Sequence, residues 1–270
     1  MSFTTPTGRR SGGDDRPPTA TRRLPDDKPT PLLRGSTDGL TTKFAGNRDE
    51  RLQAYRLLYQ SYREMGYTSE HPSGLLYRAV WGHPLSRTIV VQDKDHAVVG
   101  TVTTVDGSES RLPAEDSFFD EIAALRDAGR SIMELTGLAI SAGPQRRSLS
   151  ILFLLTRFAG QLACRRAKTD LVFTVHPRHH LFYQKFFDVD VLGPCRAQPV
   201  VRGNPGIACR VDLQNLEQLA LPQTYFEKCL PPNSIQHCAM PPADHAYLCR
   251  QTGVPPFIGE TSKADRQDAA

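Results

Sequence analysis

No stretch of this chain constrains its fold more than Ser131 to Phe187. Ile132, Glu134, Thr136, Leu138 and Ile140 alternate at period two, which predicts a strand with all five on one face. Gly143-Pro144 breaks that strand. From about Ser148 the apolar residues recur at helical spacing, through Leu149, Leu152, Phe153, Phe158, Leu162 and Ala163. Lys168-Thr169-Asp170 closes the helix, Leu171 to Val175 reads as a short buried strand, and a second helix runs on through Phe187. A strand, a crossover helix and a further strand are the parts of a βαβ unit, so the class is α/β.

The turn into the long helix carries Gln145, Arg146 and Arg147. A helix start presents unpaired N–H groups and partial positive charge. Two arginines placed there add like charge to like. An anion such as a phosphate in the turn would remove the conflict. The other reading of the same residues is a pair of solvated surface arginines.

Read together, Gly143 to Leu155 (GPQRRSLSILFLL) and Val175 to Phe187 (VHPRHHLFYQKFF) resemble the acyl-donor half of the GNAT superfamily of acyltransferases. In that superfamily the loop reads Q/R-x-x-G-x-G/A, and its amides hold the donor's pyrophosphate. Here Gln145-Arg146-Arg147-Ser148-Leu149-Ser150 keeps the register but places serine at both small positions. That departure suits a donor with a single phosphate, such as the phosphopantetheine arm of an acyl carrier protein. The resemblance implies donor binding by Leu138, Ile140, Gln145, Arg146, Arg147, Ser148 and Ser150. It also implies a mixed central sheet flanked by helices, an α/β (α+β) fold.

Ahead of this core, residues 1 to about 42 are rich in Pro, Gly, Ser, Thr, Arg and Asp. So few apolar residues cannot offset the entropy of ordering, which predicts a disordered tail. The tail contains no apolar run of the secretory type. Leu52, Tyr55, Leu58, Tyr59 and Tyr62 then form a helical stripe that Gly66 ends. The segment Tyr55 to Tyr62 (YRLLYQSY), with Gly66-Tyr67, resembles the entry helix of one GNAT branch. That branch holds the long-chain N-acyl amino acid synthases and, more distantly, the acyl-homoserine-lactone autoinducer synthases. Tyr67 to Leu85 reads as irregular, and Arg87 to Val105 as a hairpin turning at Asp93-Lys94-Asp95-His96. Leu112-Pro113, Phe118-Phe119, Leu125-Arg126 and Gly129-Arg130, running into Met133-Glu134-Leu135, resemble the N-acyl amino acid synthases most specifically. The segment Ser110 to Arg130 reads as mostly helical from about Glu115. Val189 to Cys195 and Ile207 to Val211 read as closing strands. The resemblance spans about residues 43–213, leaving 214–270 as a C-terminal helix and a poorly ordered tail.

Three residues are candidates for the chemistry. Glu134 stands in an apolar strand, where glutamate is disfavoured and burial would raise its pKa toward that of a general base. Its alternative is a structural pair with a neighbouring arginine. The autoinducer synthases carry a glutamate at the matching place in an E-x-S-R pattern; here Glu134-Leu135-Thr136-Gly137 keeps the hydroxyl and loses the arginine. His176 lies at a strand's carboxyl end, where open α/β sheets place ligands, and is a candidate for the acceptor site or a proton relay. Tyr183 matches a GNAT tyrosine that can protonate the leaving thiolate, beside the commoner reading of such a residue as aromatic core.

The net charge of +4 is mild, and no nucleic-acid motif accompanies it. Six cysteines without a signal segment fit reduced thiols in a cytoplasm. Cys229, His237, Cys238, His245 and Cys249 contain no C-x-x-C pair, and no metal is expected. The run Ile151 to Leu155 is too short to span a membrane. Loose association with a membrane surface would still suit a long-chain product. The resemblance implies an N-acyltransferase moving a long acyl group from an acyl carrier protein, or from acyl-CoA, to an amino acid or similar small amine. The donor is then a co-substrate, with no permanently bound cofactor. Two alternatives stand beside it: a GNAT acetyltransferase using acetyl-CoA, and a non-catalytic domain that binds acyl carriers or lipids.

Overall fold

Apolar and β-branched runs pair here into one mixed sheet. The computed structural model describes residues 39–218, 224–227 and 238–256, so most of the N-terminal segment, Cys229 and His237 lie outside the described residues. The strands are β1 (Thr41–Phe44), β2 (Arg87–Gln92), β3 (Val98–Asp106), β4 (Ile132–Ile140), β5 (Asp170–Val175), β6 (Asp190–Val191), β7 (Arg196–Gln198) and β8 (Asn204–Asp212). They pair in the order β1-β2-β3-β4-β5-β8-β6, with β7 alongside β8. Only β4 and β5 run parallel, as the crossover between them requires.

Helices cover both faces. On one lie α1 (Arg48–Glu64) and α2 (Glu115–Asp127), which bury Tyr55, Leu58 and Ile122 against Val105, Ile132 and Val172. On the other lie α3 (Gln145–Arg165), α4 (Pro177–Phe187) and the single turn α5 (Thr224–Glu227). They pack Leu155, Leu162, Phe187, Tyr225 and Phe226 against Met133, Leu171 and Cys209. Asn47 starts α1 by accepting the Glu50 N–H at 2.9 Å, and Gly66 follows the helix end at φ +71°. A last helix, α6 (Pro242–Thr252), returns to α1, where Asp244 takes Arg48 at 2.7 Å and the buried Arg51 at 2.8 Å.

Several local expectations change. The long helix begins at Gln145, not near Ser148, so both arginines lie inside its first turn. The strand expected over Val189 to Cys195 shrinks to the two residues of β6, because Gly193-Pro194 cannot continue a ladder, and β7 starts beyond it at Arg196. The expected common face of β4 is broken in the middle. Thr136 pairs with Thr103 and Ala139 with Thr101, so Gly137 and Leu138 together oppose Val102. This is a β-bulge, with Gly137 at φ +61°. Ile132 packs toward α1, but beyond the bulge Leu138 and Ile140 pack toward α3, while Ala139 takes the α1 face. Glycine is required at 137 twice over, since a Cβ there would also sit 3.2 Å from both Leu58 and Trp81.

The bulge coincides with a parting of strands. β4 and β5 are paired from Ile132↔Asp170 to Leu135↔Phe173 and no further. At the closed end, the fully buried Asp170 takes Arg130 at 2.6 Å, and Arg210 also binds it. Arg130 reaches Asp212 at 2.5 Å. These bonds tie the starts of β4 and β5 to the end of β8, so divergence is confined to the opposite end.

Candidate active site

Where β4 and β5 part, a cavity of about 190 Å³ passes between them. Its wall is mostly apolar. On the α1 side it is bounded by Tyr62, Tyr67, Arg78, Ala114 and Glu134. On the α3 side Phe173, Tyr183, Phe187, Tyr225 and Phe226 line it. The Gly137–Leu138 bulge lies on the wall between the two sides. Tyr225 is fastened to α3 by donating to the Phe153 carbonyl at 2.8 Å, beside the Thr156 hydroxyl at 2.7 Å. That anchors α5 as part of the wall.

Glu134 is 3 % exposed, and one carboxylate oxygen accepts the Ala114 N–H at 2.8 Å, just ahead of α2. Burial pushes its pKa up to about 8. The Ala114 bond and the nearby Arg78 charge pull the other way, while Glu115 and Asp116 add to the rise. Glu115 does not compete for Arg78. It is held by Arg126 at 2.6 Å and accepts the Leu112 N–H at 2.9 Å, which fixes the turn that presents Ala114. The result is a carboxyl that changes charge near neutral pH on a cavity wall.

His176 caps α4, its Nδ1 accepting the Arg178 N–H at 3.2 Å, and Pro177 supplies the first helical residue. That bond uses Nδ1 and leaves Nε2 as the ring nitrogen outside the cap. Tyr183 lies among Phe173, Phe182 and Phe187 at ring separations of 5.2, 5.4 and 5.8 Å. Burial pushes its phenol up to about 12.

The structure thus brings Glu134, Leu138, His176 and Tyr183 to one cavity. Gln145, Arg146, Arg147, Ser148 and Ser150 form the first turns of α3 outside that cavity wall. Ile140 packs on the α3-side core. Arg146 and Arg147 are exposed, with Arg147 3.6 Å from Asp93 in the neighbouring hairpin. The Ser148 and Ser150 hydroxyls donate to the carbonyls of Pro144 at 3.4 Å and Arg146 at 3.1 Å. Sequence reasoning missed Arg78, Tyr225 and Phe226. A lone arginine inside the apolar run Leu75-Leu76-Tyr77-Arg78-Ala79-Val80-Trp81 was the available signal for the first.

Comparison with known proteins decides the family. The family model described as N-acyl amino acid synthase FeeM matches residues 53–212, more than half of the chain. The chain belongs to the FeeM family of N-acyl amino acid synthases. It is an acyltransferase. The structure of FeeM, an N-acyl amino acid synthase from uncultured soil microbes, superposes with a TM-score of 0.58 at 18% identity, covering 65% of this chain and 91% of that one. The AHL synthase LasI superposes at 0.50 with 16% identity, over 67% of this chain and 93% of that one. BjaI, a CoA-dependent acyl-homoserine lactone synthase solved with SAM and isopentyl-CoA, superposes at 0.51 with 15% identity, over 74% and 97%. These likenesses carry the mixed, helix-flanked fold that the FeeM family shares. No curated protein sequence matches the chain.

Among the described residues of this FeeM-family chain, no helix is long and apolar enough to cross a membrane. No three His, Cys, Asp or Glu side chains among them converge to hold a metal ion. His245 instead meets the Tyr77 hydroxyl at 2.6 Å, with Cys249 3.7 Å away.

Proposed function

We propose that this acyltransferase moves a long-chain acyl group from a carrier thioester, on acyl carrier protein or CoA, to the amine of an amino acid. The observation that carries the reading is the buried Glu134 on the wall of an apolar passage between two parted strands. The aromatic depth on the α3 side, closed by Phe187, Tyr225 and Phe226, suits an alkyl chain. The exposed arginines at the start of α3 suit a phosphate of the donor arm, since the helix start adds N–H groups and partial positive charge.

In this reading the acceptor enters on the α1 side. Glu134 takes a proton from its nitrogen, which then attacks the thioester carbon. The extra residue of the Gly137–Leu138 bulge, unmatched on β3, offers backbone groups to the oxygen as it gains charge. The carbon–sulfur bond breaks, the nitrogen gives up its second proton as the amide forms, and the sulfur takes that proton and leaves as a thiol. Tyr183 stays protonated at neutral pH and so donates a hydrogen bond to the departing sulfur. His176, through Nε2, serves the acceptor side as a proton relay. Acetyl-CoA would leave most of the aromatic depth unfilled, which favours a long chain.

The test is to incubate purified protein with palmitoyl-acyl carrier protein or palmitoyl-CoA and the twenty common amino acids. N-palmitoyl amino acids should appear by mass spectrometry. Thioester donors left intact with every amine would overturn the reading.

A further inference from the structure

The lining of the cavity carries little charge. Of the described residues lining it, Arg78 is the one permanent cation and Glu134 the one carboxylate. The Arg78 side chain is 30 % exposed, and its charge on a mostly apolar wall favours an anionic occupant. Among the described residues the carboxylate paired with Arg78 is Asp116, at 3.9 Å and beyond hydrogen-bond reach, while Glu134 feels the Arg78 charge without pairing with it. Asp116 is moreover shared with Arg111 at 3.3 Å and stands partly in solvent. The guanidinium therefore keeps its fork of donors for something else.

Its position is fixed from behind. Arg78 lies between the buried Tyr77 and the turn Ala79–Gly82 that carries the buried Trp81. Both rings pack on Tyr55 of α1, at 5.3 and 5.6 Å. Tyr77 is held further by His245 of α6, and a Cβ on Gly82 would fall 2.2 Å from the His245 ring. Trp81 also lies against the bulge, where a Cβ on Gly137 would fall 3.2 Å from its ring. The segment bearing Arg78 is thus locked to α1, to α6 and to the strand that carries Glu134.

We infer that Arg78 is the specificity residue of the acceptor site, binding the α-carboxylate of an amino acid whose amine faces Glu134. This rests on the acyl-transfer reading above and adds to it the feature of the acceptor that the site requires. A planar guanidinium takes a carboxylate through two parallel bonds. The site then presents a cation and a proton acceptor to the two ends of a zwitterion, and an amine without a carboxylate loses half of its recognition. Arg78 acts on binding, so its loss belongs in the acceptor KM and not in the donor KM.

The experiment uses the full chain with whichever palmitoyl thioester supports turnover. The acceptors are the best-used amino acid and the amine left when its carboxyl is removed. Wild type should prefer the amino acid by about 10- to 100-fold in kcat/KM, the range of one charged hydrogen-bonded contact. Arg78→Gln should raise the amino acid's KM by a similar factor with the donor KM unchanged; because the Arg78 charge also acts on Glu134, turnover of both acceptors shifts alike, and the preference between them is the readout. Arg78→Lys should recover part of the preference. A wild type that uses both acceptors equally, or an Arg78→Gln protein that keeps the wild-type preference, would overturn the assignment while leaving acyl transfer intact. No amide from any acceptor would overturn both readings together.

Discussion

Glu134→Gln separates chemistry from stability, because the two should move in opposite directions. The native carboxyl is fully enclosed, and its pKa rises from 4.5 to about 8. Folding therefore favours the protonated form, and the stability this group leaves intact below pH 4.5 is lost as pH rises through about 8. At 1.36 kcal/mol per unit the full shift costs about 5 kcal/mol above pH 8, and about 3 kcal/mol at pH 7. Glutamine keeps the volume and still accepts the Ala114 N–H, but it carries no charge to bury. The variant should melt on the order of 10 °C above wild type at pH 8.5, and within a few degrees of it at pH 5. Acyl transfer should meanwhile fall by about 10²–10⁴-fold. In wild type kcat/KM should climb as pH rises toward about 8 and then level, since the base must be ionised to act. That limb should vanish in the variant. Differential scanning fluorimetry across pH and steady-state kinetics make the comparison. A Glu134→Gln protein that turns over normally, or whose melting shows the wild-type pH dependence, would refute the argument.

Other outcomes follow from the fold. Replacing Arg146 and Arg147 with Ala should raise the donor KM by about tenfold or more with the melting temperature little changed, because both side chains are exposed; unchanged donor kinetics would assign them to the solvated surface. Gly137→Ala should cost about 2–4 kcal/mol, from the φ of +61° and the 3.2 Å approach to Leu58 and Trp81, and chemical denaturation measures it. Asp170→Asn leaves Arg130 and Arg210 without their buried carboxylate and should cost about 3–5 kcal/mol. Although burial opposes it, hydrogen bonds from Arg130, Thr169 and Arg210 hold the Asp170 pKa below its ordinary 3.8. Its stabilisation is therefore present above pH 4 and lost as pH falls below that, so wild type and Asp170→Asn should converge in acid.

Wherever structure follows from neighbours along the chain, the sequence determined it. The α1 stripe, the β2–β3 hairpin and the βαβ run from β4 through α3 to β5 were legible because period two and period 3.6 act locally. Glu134 was legible for a related reason, being a charged residue inside an apolar strand pattern. The same periodicity misassigned Leu138 and Ile140, because a bulge is a mismatch between two strands and β4 alone does not contain it. The cavity is likewise no property of a single segment. It exists because β4 and β5 are clamped through Asp170 at one end and unpaired at the other. Only tertiary packing brings Arg78 beside a carboxyl 56 positions later, and carries Tyr225 and α6 back onto the domain. Register and burial of remote segments are collective outcomes, whereas periodicity is a local one, and the residues of this site meet only through the first.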